Sequence, residues 1–196
     1  MHLATSYPWQ PFLSLSLMMA APAPLPYSVS YTHVVDSMAD DIDPLGRPSA
    51  FGLFNYAASF HAAGDLIAEE GLAATHPDAP ATSLYVHAIE LYLKSFLHLR
   101  GTSIAGLKNI GHRFGRLRAQ AVREGLAITD TDDAMLDELA ESDLWGRSRY
   151  LETGYFEGIP TAAALRDTCR NLAALVGQAM TEAGHTVRTP SYRKPF

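Results

Sequence analysis

The sequence predicts an all-α protein: an antiparallel helical bundle of four longer helices plus a short one. Three observations predict it. Apolar residues recur at helical spacing in five segments. Glycine or proline punctuates the junctions between those segments. No stretch of useful length alternates apolar and polar residues as a half-buried strand does. With 47% of its 196 residues apolar and 18% charged, the chain has the material for one core and is too apolar for wholesale disorder.

Residues 1–47 read as a poorly ordered extension, 48–185 as the bundle and 186–196 as a flexible tail. The stretch FLSLSLMMAAPAPLP is short and rich in proline, and no Lys or Arg precedes it, since the first basic residue is Arg47. That disfavours a secretory signal, and the run falls short of the roughly 20 apolar residues that span a bilayer. Patterning begins soon after Met38, which makes that methionine an alternative start. The expectation is therefore a cytoplasmic protein with no membrane association.

The first helix is expected over about 49–70, with Ser49 as cap, Gly71 as terminator, and Leu53, Ala57, Phe60, Gly64 and Ile67 turned inward. THPDAPAT is a loop. The second helix, about 82–99, is apolar on nearly every side and so belongs at the centre. GTSIAGLKNIG reads as a connection, and the third helix begins near His112 with Phe114, Leu117, Ala121 and Val122 inward and Gly125 closing it. Thr129 or Thr131 caps a shorter fourth helix carrying Met135, Leu136 and Leu139 inward, with acids in the first turn, where the helix dipole favours them. WGRSRYLETGYFEGIP follows no period. Pro160 opens the last helix, on which Leu165, Cys169, Leu172, Leu175, Val176, Ala179 and Met180 share a face.

Three features stand above this background. His87, Glu90, Lys94 and His98 form a polar stripe on the central helix, which either faces water or lines a cleft. Charge is segregated: from Leu91 to Arg123 every charged residue is basic, and from Glu124 to Asp143 every one is acidic. Arg113, Arg116, Gln120 and Arg123 share one helical face, which either tracks phosphates or meets Asp133, Asp137 and Glu141 across the hairpin. The aperiodic segment concentrates Trp145, Arg147, Arg149, Tyr150, Tyr155 and Phe156, a composition that suits either a recognition surface or a loop over the bundle's end.

Other chemistries lack their residues. The net charge of −6 argues against a protein built to coat nucleic acid, while leaving room for a local basic patch. One cysteine excludes an internal disulfide framework. No metalloprotease His-Glu-x-x-His, phosphate-cradling glycine loop or nucleophile elbow occurs. His61, His87, His98 and His112 sit on three helices without the paired Glu-x-x-His of di-iron bundles, so neither a metal nor a cofactor is expected.

HAIELYLKSFLHLRG, IGHRFGRLRAQAVREGL and RSRYLETG, in that order, resemble the HEPN family (higher eukaryotes and prokaryotes nucleotide-binding). Members of that branch read Ala-x-Glu-x-x-x-Lys, then Gly-His, then Arg-Tyr. The resemblance runs over about residues 50–184 and places Glu90, Lys94, His112, Arg149 and Tyr150 at the family's positions, with Arg113 and Phe114 where Asp-Leu is usual. It implies a homodimeric bundle in a family that includes toxin and phage-defence ribonucleases and partners of nucleotidyltransferases.

Active ribonucleases of the family carry an arginine, then four to six residues, and then a histidine. Here the nearest arginine upstream of His112 is Arg100, twelve residues back, and the other histidines fare no better. The expected function is thus a non-catalytic module that binds RNA, a nucleotide or a protein such as a nucleotidyltransferase, in bacterial defence or stress response. Glu90 would orient Arg149, with Arg147 nearby, while Lys94, Arg113, Arg116 and Arg123 face phosphate. An atypical metal-independent ribonuclease using His112 with Arg149 or Arg147, and a purely structural dimerisation bundle, are the alternatives.

Overall fold

The computed structural model describes residues 42, 47–142, 144 and 160–187, all within the unit Thr32–Phe196. Among these residues there are six helices: α1 (Ala50–Glu70), α2 (Ala79–Leu99), α3 (Ile104–Ile110), α4 (Phe114–Arg123), α5 (Asp130–Ser142) and α6 (Ala162–Glu182). The protein is all-α over this span.

The helix starts are chemical as well as periodic. Ser49, Ser103 and Thr161 each accept a hydrogen bond from the backbone N–H three residues on, which satisfies one of the donors a helix start leaves open. Thr129 does the same for Asp132 at the start of α5, at 3.2 Å. α2 begins three residues earlier than its periodicity suggests, because Pro80 suits a first helical turn.

α2 is the centre of the core. Tyr85, Ile89, Leu93 and Leu97 are fully buried along it, and α1, α3, α4 and α6 all pack against it. Burying each such side chain contributes about 1.5–3 kcal/mol. α5 in turn lies on α4 and α6.

Four expectations need correction. The presumed connection GTSIAGLKNIG contains α3, in which Leu107 is buried and Ile104 and Ile110 pack partly covered against the core. The buried face of α1 is Phe51, Phe54, Ala57, Ala58 and Gly64, while Leu53, Phe60 and Ile67 are only partly covered. Two apolar stripes compete on that helix, and the one facing both α2 and α6 wins. Val122 points outward and is 48% exposed. Finally, the bundle extends past residue 185: the His185 ring stacks on Phe51 with centroids 4.8 Å apart, and Val187 packs against the core.

Gly64 sets how closely α1 approaches α2. A Cβ there would come within 2.7 Å of the Tyr85 ring. The close fit lets the Tyr85 hydroxyl donate to Asp65 Oδ1 at 2.9 Å. Among the described residues, no helix is long and apolar enough to cross a membrane.

Candidate functional site

The polar stripe of α2 separates into three environments. His87 packs edge-on against Phe60 of α1, with centroids 4.3 Å apart. At the other end His98 Nδ1 donates to the Thr102 carbonyl at 2.7 Å, tying the end of α2 to the following turn. Glu90, in the middle, is 1% exposed, so the solvated reading of the stripe fails at this residue.

A buried carboxylate is costly unless it is paired and hydrogen-bonded. Glu90 has two partners. Lys94, one turn along α2, donates Nζ to Oε1. His112 Nδ1 lies 2.9 Å from both carboxylate oxygens. A carboxylate only accepts, so Nδ1 carries the proton of that bond and further exchange at the ring falls to Nε2.

Backbone geometry delivers His112 to this carboxylate. Gly111, at φ 67° and ψ −135°, turns the chain sharply between α3 and α4 in a conformation that side chains disfavour. Arg113 then occupies the N-cap of α4 with no side-chain cap bond, so the first-turn N–H groups lie at a cationic helix start. A cavity of about 320 Å³ opens here, lined by His112, Arg113, Phe114, Gly115 and Arg116, with Leu139 and Ala140 of α5 as its far wall.

The charge-segregated hairpin divides its arginines between two tasks. Arg118 faces α5, with Nε and Nη2 on Asp133 and Nη1 on Asp137. Its hydrogen bonds with Asp133 raise the guanidinium pKa further. The hairpin is therefore paired through a residue that lies off the predicted stripe. On the stripe itself, Gln120 donates to Thr102 Oγ1 at 3.0 Å and Arg113 donates to the Asn109 carbonyl at 3.1 Å. Arg116 and Arg123 are exposed and enter no ion pair among the described residues. The expectation that the 113/116/123 face meets Asp133, Asp137 and Glu141 is corrected accordingly.

The structure thus brings Glu90, Lys94 and His112 together and sets Arg113 and Arg116 beside them. Arg147, Arg149 and Tyr150, together with the aromatic segment around them, lie outside the described residues. Compared with family models, curated proteins and solved structures, the chain matches none.

A second cluster escaped the sequence reading. His61 and Asp65 of α1, Tyr85 and Tyr92 of α2, and Arg170 of α6 converge on the opposite side of α2's buried ring of apolar residues. Burial pulls the His61 pKa below its usual 6.5, with Asp65 opposing and Arg170 and Arg166 reinforcing the shift. Burial likewise raises the Tyr92 hydroxyl and the Cys169 thiol, and keeps both protonated. The available signals were His61 and Asp65 one turn apart on α1 and Arg166 and Arg170 one turn apart on α6. Among the described residues no three His, Cys, Asp or Glu side chains gather as a metal cluster.

Proposed function

We propose that this protein is a HEPN-like helical module, cytoplasmic and homodimeric, that binds a phosphate-bearing ligand, RNA or a nucleotide, without transforming it. One observation carries the reading: His112, fixed from behind by buried Glu90, lines a cavity with Arg113 and Arg116 at the start of a helix. A helix start favours anions through its open N–H groups and its dipole. The two arginines add forked donors that match phosphate oxygens.

Single-stranded RNA titrated against the full chain at several salt concentrations tests this. Affinity should fall as salt rises. Replacing both Arg113 and Arg116 with alanine should flatten the log–log slope by about 1.4, because each phosphate neutralised on a single strand supplies about 0.7. A slope indifferent to salt, or unchanged in the double variant, overturns the proposal.

The His112–Glu90 hydrogen bond specifically favours a second reading, the atypical metal-independent ribonuclease. A histidine held at Nδ1 by a carboxylate is oriented for proton transfer at Nε2. Cleavage of RNA in excess chelator that disappears in His112→Ala supports this reading; no cleavage by the parent protein leaves binding alone.

A further inference from the structure

A cavity of about 340 Å³ lies between α1, α2 and α6, on the far side of the core from the His112 corner. Its body is apolar, formed by Phe54, Ala58 and Ala62 on one side and Ala173, Ala174 and Val187 on the other. Its polar groups are few and of opposite sign: Asp65, His61, Tyr92 and Arg170. A concave apolar site of a few hundred Å³ with a few convergent polar groups is the usual form of a small-molecule site.

Two details make the polar end specific. His61 Nδ1 lies 3.4 Å from the Tyr92 hydroxyl, while Nε2 is buried with no hydrogen-bond partner among the described residues and is 3.7 Å from Asp65 Oδ2. A buried nitrogen left without a partner is costly, so a bound acceptor at Nε2 would recover that cost. Asp65 accepts from the Tyr85 hydroxyl at Oδ1, 2.9 Å away, and its second oxygen lies on the His61 side. Arg170 stands at the mouth with its side chain 51% exposed, within 3.5 Å of Asp167.

We infer that this cavity binds a small zwitterion, an α-amino acid with an apolar side chain. The ammonium meets Asp65; the carboxylate accepts from His61 Nε2–H and pairs with Arg170; the side chain fills the space among Phe54, Ala58 and Ala173. Each polar group then has a partner of the right kind, and each ligand charge meets one of opposite sign. A simple carboxylic acid would leave its charge beside Asp65, and a simple amine would leave His61 Nε2 without an acceptor and offer nothing to Arg170 beyond its existing partner Asp167. In this arrangement the Tyr92 hydroxyl, 3.4 Å away, donates to Nδ1 and the ring proton sits on Nε2. The inference is independent of the phosphate-binding reading, because it uses none of the same residues.

The test is calorimetric titration of the full chain with L-leucine, 4-methylpentanoate and 3-methylbutylamine, with Tm followed in parallel. Leucine should bind saturably and raise Tm, with each single-headed analogue at least about tenfold weaker, as loss of a charged hydrogen bond implies. Arg170→Gln, a change at an exposed position that leaves the core intact, should weaken leucine by about tenfold, and Ala173→Phe should abolish binding by filling the cavity. Arg116→Ala should leave leucine binding unchanged, which separates this site from the His112 corner. Absence of leucine binding at millimolar concentration, equal binding of 4-methylpentanoate, or full binding by either cavity variant overturns the inference.

Discussion

At the scale of single residues, Glu90 is a buried carboxylate met on two sides. It is 1% exposed and is held by Lys94 and His112. Removing one member of a buried ion pair leaves the other charge uncompensated, which costs about 3–5 kcal/mol, whereas replacing both with apolar or neutral groups of similar size is often nearly neutral. Lys94→Met leaves Glu90 with the His112 bond and should destabilise by about 1–3 kcal/mol, and adding Glu90→Gln should restore part of that loss. Urea unfolding of the two single variants and the double variant checks the expectation; additive losses would show that the pair is not coupled. Arg118 offers the contrast. Its acids lie on the surface, with Asp137 53% exposed, so its pairing is worth about 1 kcal/mol or less and mainly fixes which way α4 faces.

At the scale of elements, the helix contacts rest on small residues. A methyl group added at Gly64 meets the Tyr85 ring at 2.7 Å, and that ring is fully buried with its hydroxyl tied to Asp65. Overpacking costs about 1–3 kcal/mol, and alanine's better helix propensity returns about 1, so Gly64→Ala should lower Tm. Gly115 in α4 has only an ordinary contact, 3.5 Å to Ala140, and Gly115→Ala should keep or raise Tm. Thermal melts of the two variants side by side decide between space and propensity as the controlling factor. These same elements show what the sequence disclosed. α2 was legible because it is apolar on nearly every side and α6 because it carries one long apolar register, and Ser49, Thr129 and Gly71 mark ends that local chemistry controls. α3 was not, since a short helix with a single buried residue has no period to detect. The inward face of α1 is ambiguous in the sequence because two apolar stripes run along it, and only its neighbours choose between them.

At the scale of the whole molecule, local spacing revealed one site and hid the other. Glu90 and Lys94 stand one turn apart, and a histidine at a helix start is conspicuous, so that corner could be assembled from short-range pattern. Which arginine of α4 would meet the acids of α5 depended on how the helices roll against each other, and spacing alone is silent on that. The His61 cluster joins α1, α2 and α6, and no local pattern links Asp65 to Arg170. That cluster has a global signature in pH. The folded-state pKa of His61 is depressed below 6.5, so its contribution to stability is fully present above 6.5 and is lost as the pH falls through the folded-state value. His61 faces Asp65 on its own helix, Tyr85 and Tyr92 on α2, and Arg166 and Arg170 on α6, and burial outweighs the favourable effect of Asp65. Urea midpoints about one pH unit on either side of 6.5 should differ more for the parent protein than for His61→Gln, which retains hydrogen-bonding capacity without titrating; equal differences would sink the assignment.

The sequence holds a single cysteine, Cys169, which is fully buried on α6 with Sγ 3.4 Å from the Tyr85 carbonyl. Burial holds its thiol protonated and out of reach of solvent. An aromatic disulfide reagent therefore reacts only with molecules whose α2–α6 contact has opened, at one equivalent per chain. The protein carries its own clock for that opening: the labelling rate reports how often the centre of the core separates, without any introduced probe.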